Sequence, residues 1–407
     1  MGVEVRSDRE IDVGVLLERV QQAPFYKKKL ESVSPEVPFK GLPFTTKDEL
    51  RSLSMFDLLA VERRRISHFH ESSGTTGIPS ASWYTKRDLE IGGRDIGESG
   101  IQFTADDLVL IRFPFSLFLP AYLVLHAAYQ SDAGVIPVSS RNTVTTYPKV
   151  LQLMAELEAT VFAGIPRELE LLAETARQMS INPLEAFPKL RGILVAGELM
   201  SPKRKAHLEK LWGRPVYNLY GSTETGNIAR MCKFGKLHLS ETHYHLEVLN
   251  SLLEAEVNLG QIGIGVITTL TKEGTPLLRY VTEDLVSLHE STCACGSLEK
   301  EIRHFGRAAD CLTIDGIAVN LCDFQEAIYA LDPVPIAWKI QEQENGFYAI
   351  LQFAQPFLDS KEVIEDHFRQ YNIPGTIAIS LSEPLLDLSV LLDREISTKP
   401  IYIEKRK

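Results

Sequence analysis

Ser72-Ser73-Gly74-Thr75-Thr76-Gly77 places four hydroxyls and two glycines in six residues. Such a run builds no core. Backbone N–H groups freed by glycine, together with Ser/Thr hydroxyls, are what cradling a polyphosphate requires. The Lys-Ser/Thr pair that follows the last glycine of a P-loop is missing, and composition alone also allows a plain connecting loop. A second polar run, Tyr220-Gly221-Ser222-Thr223-Glu224, ends an apolar stretch. A third set is Cys232, His238, Cys293 and Cys295. Three thiols and an imidazole suffice for a closed tetrahedral zinc site. Cys-x-Cys is tighter than the common finger spacing, so four unrelated residues on adjacent β-turns remain the competing reading.

Periodicity predicts the elements that must carry these residues. Residues 13–30 hold Val15, Leu16 and Val20 at helical spacing, and residues 43–50 read as a turn and N-cap entering a short helix. A strand over 82–85 and a helix starting at 86–92 follow the glycine loop. From residue 107 the pattern is α/β, with strands at 108–111, 134–138 and 160–164 and helices at 121–129 and through 153–157. A strand at 193–195 ends in Ala196-Gly197-Glu198, after which Ser201-Pro202 supplies an N-cap and first-turn proline for a helix closed by Gly213. The strand at 216–220 then delivers Gly221 to Glu224 at its C-terminal end, where open α/β sheets place ligands. Residues 237–280 are β-rich. From Gly306 the texture changes to a turn at Ile314-Asp315-Gly316, a helix at 324–331, strands at 337–341 and 348–353, and a helix at 359–370. An acceptor opens that last helix, with Glu362 three residues on. The expected fold is α/β: a large N-terminal α/β domain with a β-rich subdomain over residues 1–305, and a small α+β domain over 306–407.

Composition narrows the partners. The chain of 407 residues carries a net charge of −11, which argues against a nucleic-acid or anionic-membrane surface. Arg63-Arg64-Arg65 reads as a solvated face. The polar N-terminus has no apolar signal core, and no apolar run is long enough to span a membrane. Five cysteines do not make a disulfide framework, so a reducing cytoplasm is expected.

With Tyr220-Gly221-Ser222-Thr223-Glu224 in place, the chain resembles the adenylate-forming (acyl-activating) superfamily, and within it the phenylacetate–CoA ligases. Ser-Ser-Gly-Thr-Thr-Gly matches their phosphate loop and Tyr-Gly-x-Thr-Glu their central motif. Arg279-Tyr280-Val281-Thr282-Glu283-Asp284-Leu285 resembles the ribose-binding motif, and Gly306-Arg307-x-x-Asp310 the hinge. Lys47 and Pro24-Phe25-Tyr26 fit the opening of the same subfamily.

The resemblance implies roles for these residues. A carboxylate attacks the α-phosphate of ATP, giving an acyl-adenylate and pyrophosphate, and CoA then takes the acyl group. Two anions must meet, so charge neutralisation and positioning dominate the barrier. Ser72, Ser73, Gly74, Thr75, Thr76 and Gly77 would hold the β- and γ-phosphates. Glu224 with Thr223 would bind Mg²⁺, Asp284 the ribose hydroxyls, and Arg307 would lie near ribose or phosphate. Ala196, Gly197 and Glu198 would contact adenine, with Tyr220 stacking on the base beside Gly221 and Ser222. Lys399 would neutralise charge during adenylation; a merely solvated basic tail is the competing reading. Residues 306–407 would form a mobile lid rotating about Gly306–Asp310. In related proteins a Cys/His set like Cys232, His238, Cys293 and Cys295 holds structural zinc; His243 and His245 beside it read as packing or pocket residues, and Cys311 and Cys322 as small core residues.

Departures fall in the small domain. Ala309 replaces the first aspartate of an Asp-Asp pair, Ala318-Val319-Asn320-Leu321 replaces Asn-x-Phe-Pro, and Thr398 stands where glycine precedes the late lysine. The second half-reaction is therefore open between CoA, a carrier-protein thiol and an amine. A homologue that binds nucleotide without catalysis is a further alternative, against which Glu224, Asp284, Arg307 and Lys399 argue. Phe113-Pro114-Phe115, Phe118 and Leu119 would wall an acyl pocket suited to an aromatic acid. A homodimer follows from the resemblance alone.

Overall fold

The protein is described by a computed structural model over residues 11–72, 79–355, 360–394 and 400–406. Helices α1 (Val13–Val20), α2 (Pro24–Lys29) and α3 (Lys47–Ser52) precede the antiparallel pair β1 (Ile66–Glu71) and β2 (Ala81–Thr85), then α4 (Lys86–Gly97). An alternating stretch follows: β3 (Leu108–Ile111), α5 (Leu119–Gln130), β4 (Gly134–Pro137), α6 (Tyr147–Glu156), β5 (Val161–Gly164), α7 (Pro166–Gln178), α8 (Pro183–Ala186), β6 (Gly192–Val195) and α9 (Pro202–Trp212). Seven strands come next: β7 (Val216–Ser222), β8 (Gly226–Met231), β9 (Leu237–Leu239), β10 (Tyr244–Leu249), β11 (Gly263–Thr269), β12 (Tyr280–His289) and β13 (Glu301–Arg307). The remainder is β14 (Leu312–Ile314), β15 (Ile317–Val319), α10 (Leu321–Ile328), β16 (Ala337–Gln343), β17 (Gly346–Gln352), α11 (Lys361–Gln370), β18 (Thr376–Ser380) and β19 (Ile403–Glu404).

Caps fix the helix starts. Asp12 accepts from the Val15 amide, and Thr46/Glu49 and Thr85/Asp88 close reciprocal capping boxes at α3 and α4. Ser201 accepts from the Arg204 amide, so α9 begins where the Ser-Pro signal puts it. Several boundaries differ by a few residues from the sequence reading, two of them at helix starts in the C-terminal part. Helix α10 starts earlier than residue 324, because Asn320 and Asp323 cap each other's backbone. Helix α11 starts at Lys361 behind Ser360, and Asp359 lies outside the described residues.

Two compact units form. The first comprises Met1–Asp107, Phe113–Val135 and Tyr217–Arg303. Its sheet runs β10-β11-β12-β13-β9-β8-β7. Ile228, Leu246, Ile267, Val286 and Ile302 make its core, together with the ring of Tyr220. A second cluster packs Leu16, Val20, Tyr26 and Leu50 on Leu278 and Tyr280, which seats the N-terminal helices beside β12.

The second unit comprises Leu108–Arg112, Ile136–Val216 and His304–Lys407. Strands β3, β5 and β6 are parallel, with Val109 facing Val161 and Val161 facing Gly192. Phe162, Leu169, Ile193 and Trp212 pack around them. Helix α7 was not foreseen in the sequence, because Glu168, Glu170 and Glu174 are buried among its apolar residues and break the expected stripe. The C-terminal part has a sheet in the order β18-β17-β16-β19 and a core of Phe324, Ile340, Phe347 and Phe368. Leu199 joins that core from outside residues 306–407. The chain is thus a mixed α/β protein with a β-rich sheet and an α+β C-terminal part.

Candidate active site

Strands β7 and β8 form an antiparallel hairpin whose turn is Thr223-Glu224-Thr225. Two glycines make the hairpin tight. A Cβ on Gly221 would sit 2.0 Å from the Gly226 carbonyl, and Gly226 has φ +89° with the Tyr244 hydroxyl 3.0 Å from where its Cβ would be. Ser222 Oγ and Thr225 Oγ1 lie 3.0 Å apart across the turn. Glu224 is only 5% exposed, yet among the described residues its carboxylate has no hydrogen-bond partner. A carboxylate on a largely buried residue, not taken up by a hydrogen-bond donor, is an oxygen ligand available to a hard cation.

Three successive carbonyls of this turn are held by side chains from three places. Tyr84 Oη on β2 donates to the Thr223 carbonyl at 2.6 Å. Lys272 Nζ donates to the Glu224 carbonyl at 2.5 Å, and Tyr244 Oη on β10 to the Thr225 carbonyl at 3.0 Å. Burial drives the Lys272 ammonium down to about 7, against the opposing pull of Asp88 and Glu224. These three residues escaped the sequence reading, since they are far apart in the chain and belong to no motif.

Tyr220 Oη donates to Asp284 Oδ2 at 2.8 Å, joining the central motif to the aspartate assigned to ribose. Burial and the neighbouring Asp284 carboxylate push the Tyr220 phenol far above its ordinary range. Next to Asp284, Glu283 is paired with Lys47 Nζ at 3.4 Å, so the opening lysine serves the same strand. Arg279 forms a two-pronged pair with Glu247, at 2.9 and 3.0 Å, and donates to the carbonyls of Lys40 and Leu42. It anchors the start of β12 rather than facing outward.

In the second unit, Ala196-Gly197-Glu198 follows β6 as expected, with Gly197 at φ +88°. The Glu198 carboxylate is buried against Arg204 at 2.8 Å and accepts from Tyr402 Oη at 3.3 Å. Arg204 also pairs with Glu170 at 2.9 Å, and Glu170 accepts from Tyr329 Oη at 2.7 Å. Arg307 ends β13 and precedes a short 3₁₀ turn, Ala308–Asp310, which contains Ala309. Ser72 exchanges two bonds with Ser80, its amide donating to the Ser80 carbonyl at 3.0 Å and its Oγ accepting from the Ser80 amide at 2.9 Å. Ser73, Gly74, Thr75, Thr76, Gly77 and Lys399 lie outside the described residues.

The cysteines and histidine singled out by sequence converge. The ligand atoms of Cys232, His238, Cys293 and Cys295 all lie within 4.8 Å of one another. Cys232 Sγ is 3.6 Å from Cys293 Sγ, and Cys295 Sγ is 3.3 Å from His238 Nε2. Ligands about 2.3 Å from a tetrahedral metal stand roughly 3.6–3.8 Å apart, so this set has the spacing to hold one. His238 Nδ1 sits 3.1 Å from the Glu299 carbonyl, which fixes the tautomer with Nε2 free to ligate. Nearby, burial pushes His245 down to about 4, and it packs edge-on against Phe39. Cys311 and Cys322 are both half-buried, and Cys322 packs on the C-terminal core.

Aromatic residues cluster around residues 113–122. Phe113 and Phe118 rings are 6.0 Å apart, Phe115 and Tyr122 rings 5.4 Å, and Tyr122 Oη donates to the Phe115 carbonyl. Among the described residues no helix is long and apolar enough to cross a membrane.

Residues 64–250 match the family model described as AMP-binding enzyme. The phenylacetate-coenzyme A ligase of Thermus thermophilus is 28% identical over 389 residues, covering 89% of this chain and 86% of that protein. Its counterpart in Escherichia coli is 26% identical over 342 residues, covering 80% and 76%. Among solved structures, a 2-hydroxyisobutyryl-CoA ligase superposes with a TM-score of 0.84 at 19% identity, over 97% of this chain and 88% of that one. With residues 64–250 matching the AMP-binding enzyme model, the chain as a whole resembles the phenylacetate–CoA ligases of the adenylate-forming superfamily.

Proposed function

We propose that this protein is an AMP-forming acid–CoA ligase that activates a carboxylic acid, aromatic by its Phe113–Tyr122 cluster, and transfers the acyl group to CoA. The observation that carries this reading is the Glu224 carboxylate in the β7–β8 turn, inside the segment that matches the AMP-binding enzyme family, with no hydrogen bond to it among the described residues.

Adenylation forms a bond between a substrate carboxylate oxygen and the α-phosphorus and breaks the bond to pyrophosphate. Glu224 and Thr223 would hold Mg²⁺, which supplies charge neutralisation for the phosphates. Asp284, oriented by Tyr220, would accept from the ribose hydroxyls. Arg307 and Lys399 would add positive charge near the phosphates, and Ser72 to Gly77 would cradle the β- and γ-phosphates. Glu198 would mark the adenine side. In the second step the thiol sulfur bonds to the acyl carbon, AMP leaves with the bonding pair, and the thiol proton goes to solvent. Rotation of residues 306–407 about Gly306–Asp310 would separate the two steps.

The Cys232, His238, Cys293 and Cys295 set fits zinc, with soft thiolates, one imidazole and no open position. Its role is structural, clamping β8 and β9 to the segment that leads into β13. A homodimer and a cytoplasmic location belong to the same reading. They rest on the resemblance and on the free cysteines.

The test is pyrophosphate release from ATP and Mg²⁺ across aryl, arylacetic and fatty acids, with and without CoA. Acid-dependent pyrophosphate with thioester only when CoA is added is the expected result. Pyrophosphate without thioester moves the acceptor to a carrier-protein thiol or an amine, which the Ala309 and Thr398 departures keep in view. ATP binding with no pyrophosphate from any acid overturns the ligase reading.

A further inference from the structure

The Thr223–Thr225 turn has no apolar side chain to anchor it, yet its carbonyls are fixed one by one. Tyr84, Lys272 and Tyr244 reach it from β2, from the loop after β11 and from β10. We propose that these three residues form a carbonyl clamp that positions the Glu224 carboxylate for adenylate formation, and that none of them touches the reacting atoms. The inference rests on the reading of Glu224 as the magnesium-binding carboxylate.

The clamp is itself braced. Lys272 Nζ also donates to Ser82 Oγ at 2.8 Å, and Ser82 Oγ lies 2.8 Å from Thr275 Oγ1. The ammonium stands 4.1 Å over the Tyr84 ring, so Tyr84 and Lys272 support each other as well as the turn. Asp88, which caps α4 through the Thr85 amide, accepts from the backbone amides of Glu273 and Gly274 and so fixes the loop that carries Lys272. Tyr244 approaches at Gly226, where a side chain would crowd its hydroxyl. A glutamate side chain multiplies any rocking of its own peptide into a displacement of the carboxylate. A carboxylate that must meet a metal within a few tenths of an ångström needs its backbone held on both sides. Three donors on three consecutive carbonyls do that, and packing of the sheet alone does not call for them.

The experiment uses the full-length enzyme and the variants Tyr84→Phe, Tyr244→Phe and Lys272→Met. Each is assayed for pyrophosphate release as a function of Mg²⁺, and for thioester formation from supplied acyl-adenylate and CoA. Each tyrosine variant, which deletes one hydroxyl, is expected to lose about 5- to 20-fold in the rate of pyrophosphate release, and Lys272→Met about 100-fold. The Mg²⁺ concentration for half-maximal rate is expected to rise about tenfold with KM for the acid unchanged, and the thioester step to fall far less. The double variant Tyr84→Phe/Lys272→Met is expected to be no slower than Lys272→Met alone, because the two act as one brace. Equal losses in both steps, or an unaltered Mg²⁺ requirement in the tyrosine variants, overturn the proposal. The tyrosine pair keeps it testable should Lys272→Met fail to fold. Should the wild-type protein release no pyrophosphate with any acid, the ligase reading fails separately. The Mg²⁺ dependence of ATP affinity, read with a fluorescent ATP analogue, then decides the clamp: a weakened dependence in the tyrosine variants supports it and an unchanged one sinks it.

Discussion

The hydroxyl of Tyr220, whose ring is in the buried core, donates to Asp284 Oδ2 across 2.8 Å, tying the end of β7 to the middle of β12. One carboxylate oxygen is thereby occupied and the carboxylate's orientation fixed before any nucleotide arrives. Replacing Tyr220 by Phe removes one hydrogen bond to a charged group, worth about 1.5–3 kcal/mol. Affinity for ATP is expected to fall about 10- to 100-fold through loss of orientation, with the fold intact by circular dichroism. An ATP affinity equal to wild type would show that Asp284 needs no such support.

The cysteine–histidine set makes a second prediction. The purified protein is expected to carry one zinc ion per chain by elemental analysis, and the variants Cys232→Ala and Cys295→Ala to carry none. Closed zinc sites contribute directly to folding, so losing this one is expected to cost several kcal/mol, roughly 3–5, and to lower the thermal midpoint by about 10 °C. Activity at low temperature is expected to survive, because Glu224 and Asp284 lie outside the cluster. Zinc-free protein that melts with the wild type would assign the four residues to packing alone.

Chemistry-bearing residues were legible in the sequence where they come in short motifs. Tyr220 to Glu224 stand at the end of a strand, Cys293 and Cys295 converge with Cys232 and His238, and Ser201-Pro202 opens α9. Two kinds of feature were not legible. Helix α7 hides because its buried face carries carboxylates satisfied by arginines, Arg112 and Arg204 from elsewhere in the chain and Arg167 and Arg177 from the helix itself, so the apolar period is interrupted where the helix is most buried. The clamp on the Thr223–Thr225 carbonyls hides because its members are joined by sheet pairing and not by spacing. Nothing local distinguishes Lys272 from a surface lysine, and its burial is decided by the fold of β10 to β12 around it.

The buried network of Glu170, Arg204, Glu198, Tyr329 and Tyr402 supports a third prediction. Tyr329 and Tyr402 belong to residues 306–407, and their phenols meet Glu170, Arg204 and Glu198 from the α7–α9 region. Arg204→Met strips the buried Glu198 carboxylate of its counter-charge, leaves Glu170 with Arg167 alone, and is expected to destabilise by about 3–5 kcal/mol. Tyr402→Phe leaves the charges paired and is expected to cost only about 1 kcal/mol. If residues 306–407 swing between the two steps as proposed, these phenols are bonds that must break. Tyr329→Phe/Tyr402→Phe is then expected to raise thioester formation from supplied adenylate relative to pyrophosphate release. An unchanged ratio would detach the network from the motion.

Acid stability follows from groups of opposite kind with overlapping windows. Burial pushes His70 and His245 down to about 4, well below the ordinary imidazole value near 6.5. Each is neutral in the folded chain and takes up a proton on unfolding, so their contribution is complete above about pH 6.5 and lost as pH falls toward 4. Glu170 is raised by burial but pulled down more strongly by Arg204 and Arg167, to about 2. Its contribution is present above the unfolded carboxylate value near 4.3 and is lost only as pH falls through 2. Denaturant midpoints are therefore expected to decline first between pH 6.5 and 4 and then more steeply below. Burial also lowers His68, His126, His207, His243 and His289, so replacing His70 and His245 by Asn is expected to reduce the first decline without abolishing it, and to leave the second. Glu170→Gln, whatever its cost at neutral pH, is expected to flatten only the second. A decline between pH 6.5 and 4 as large in the double histidine variant as in the wild type would place the acid sensitivity in other groups.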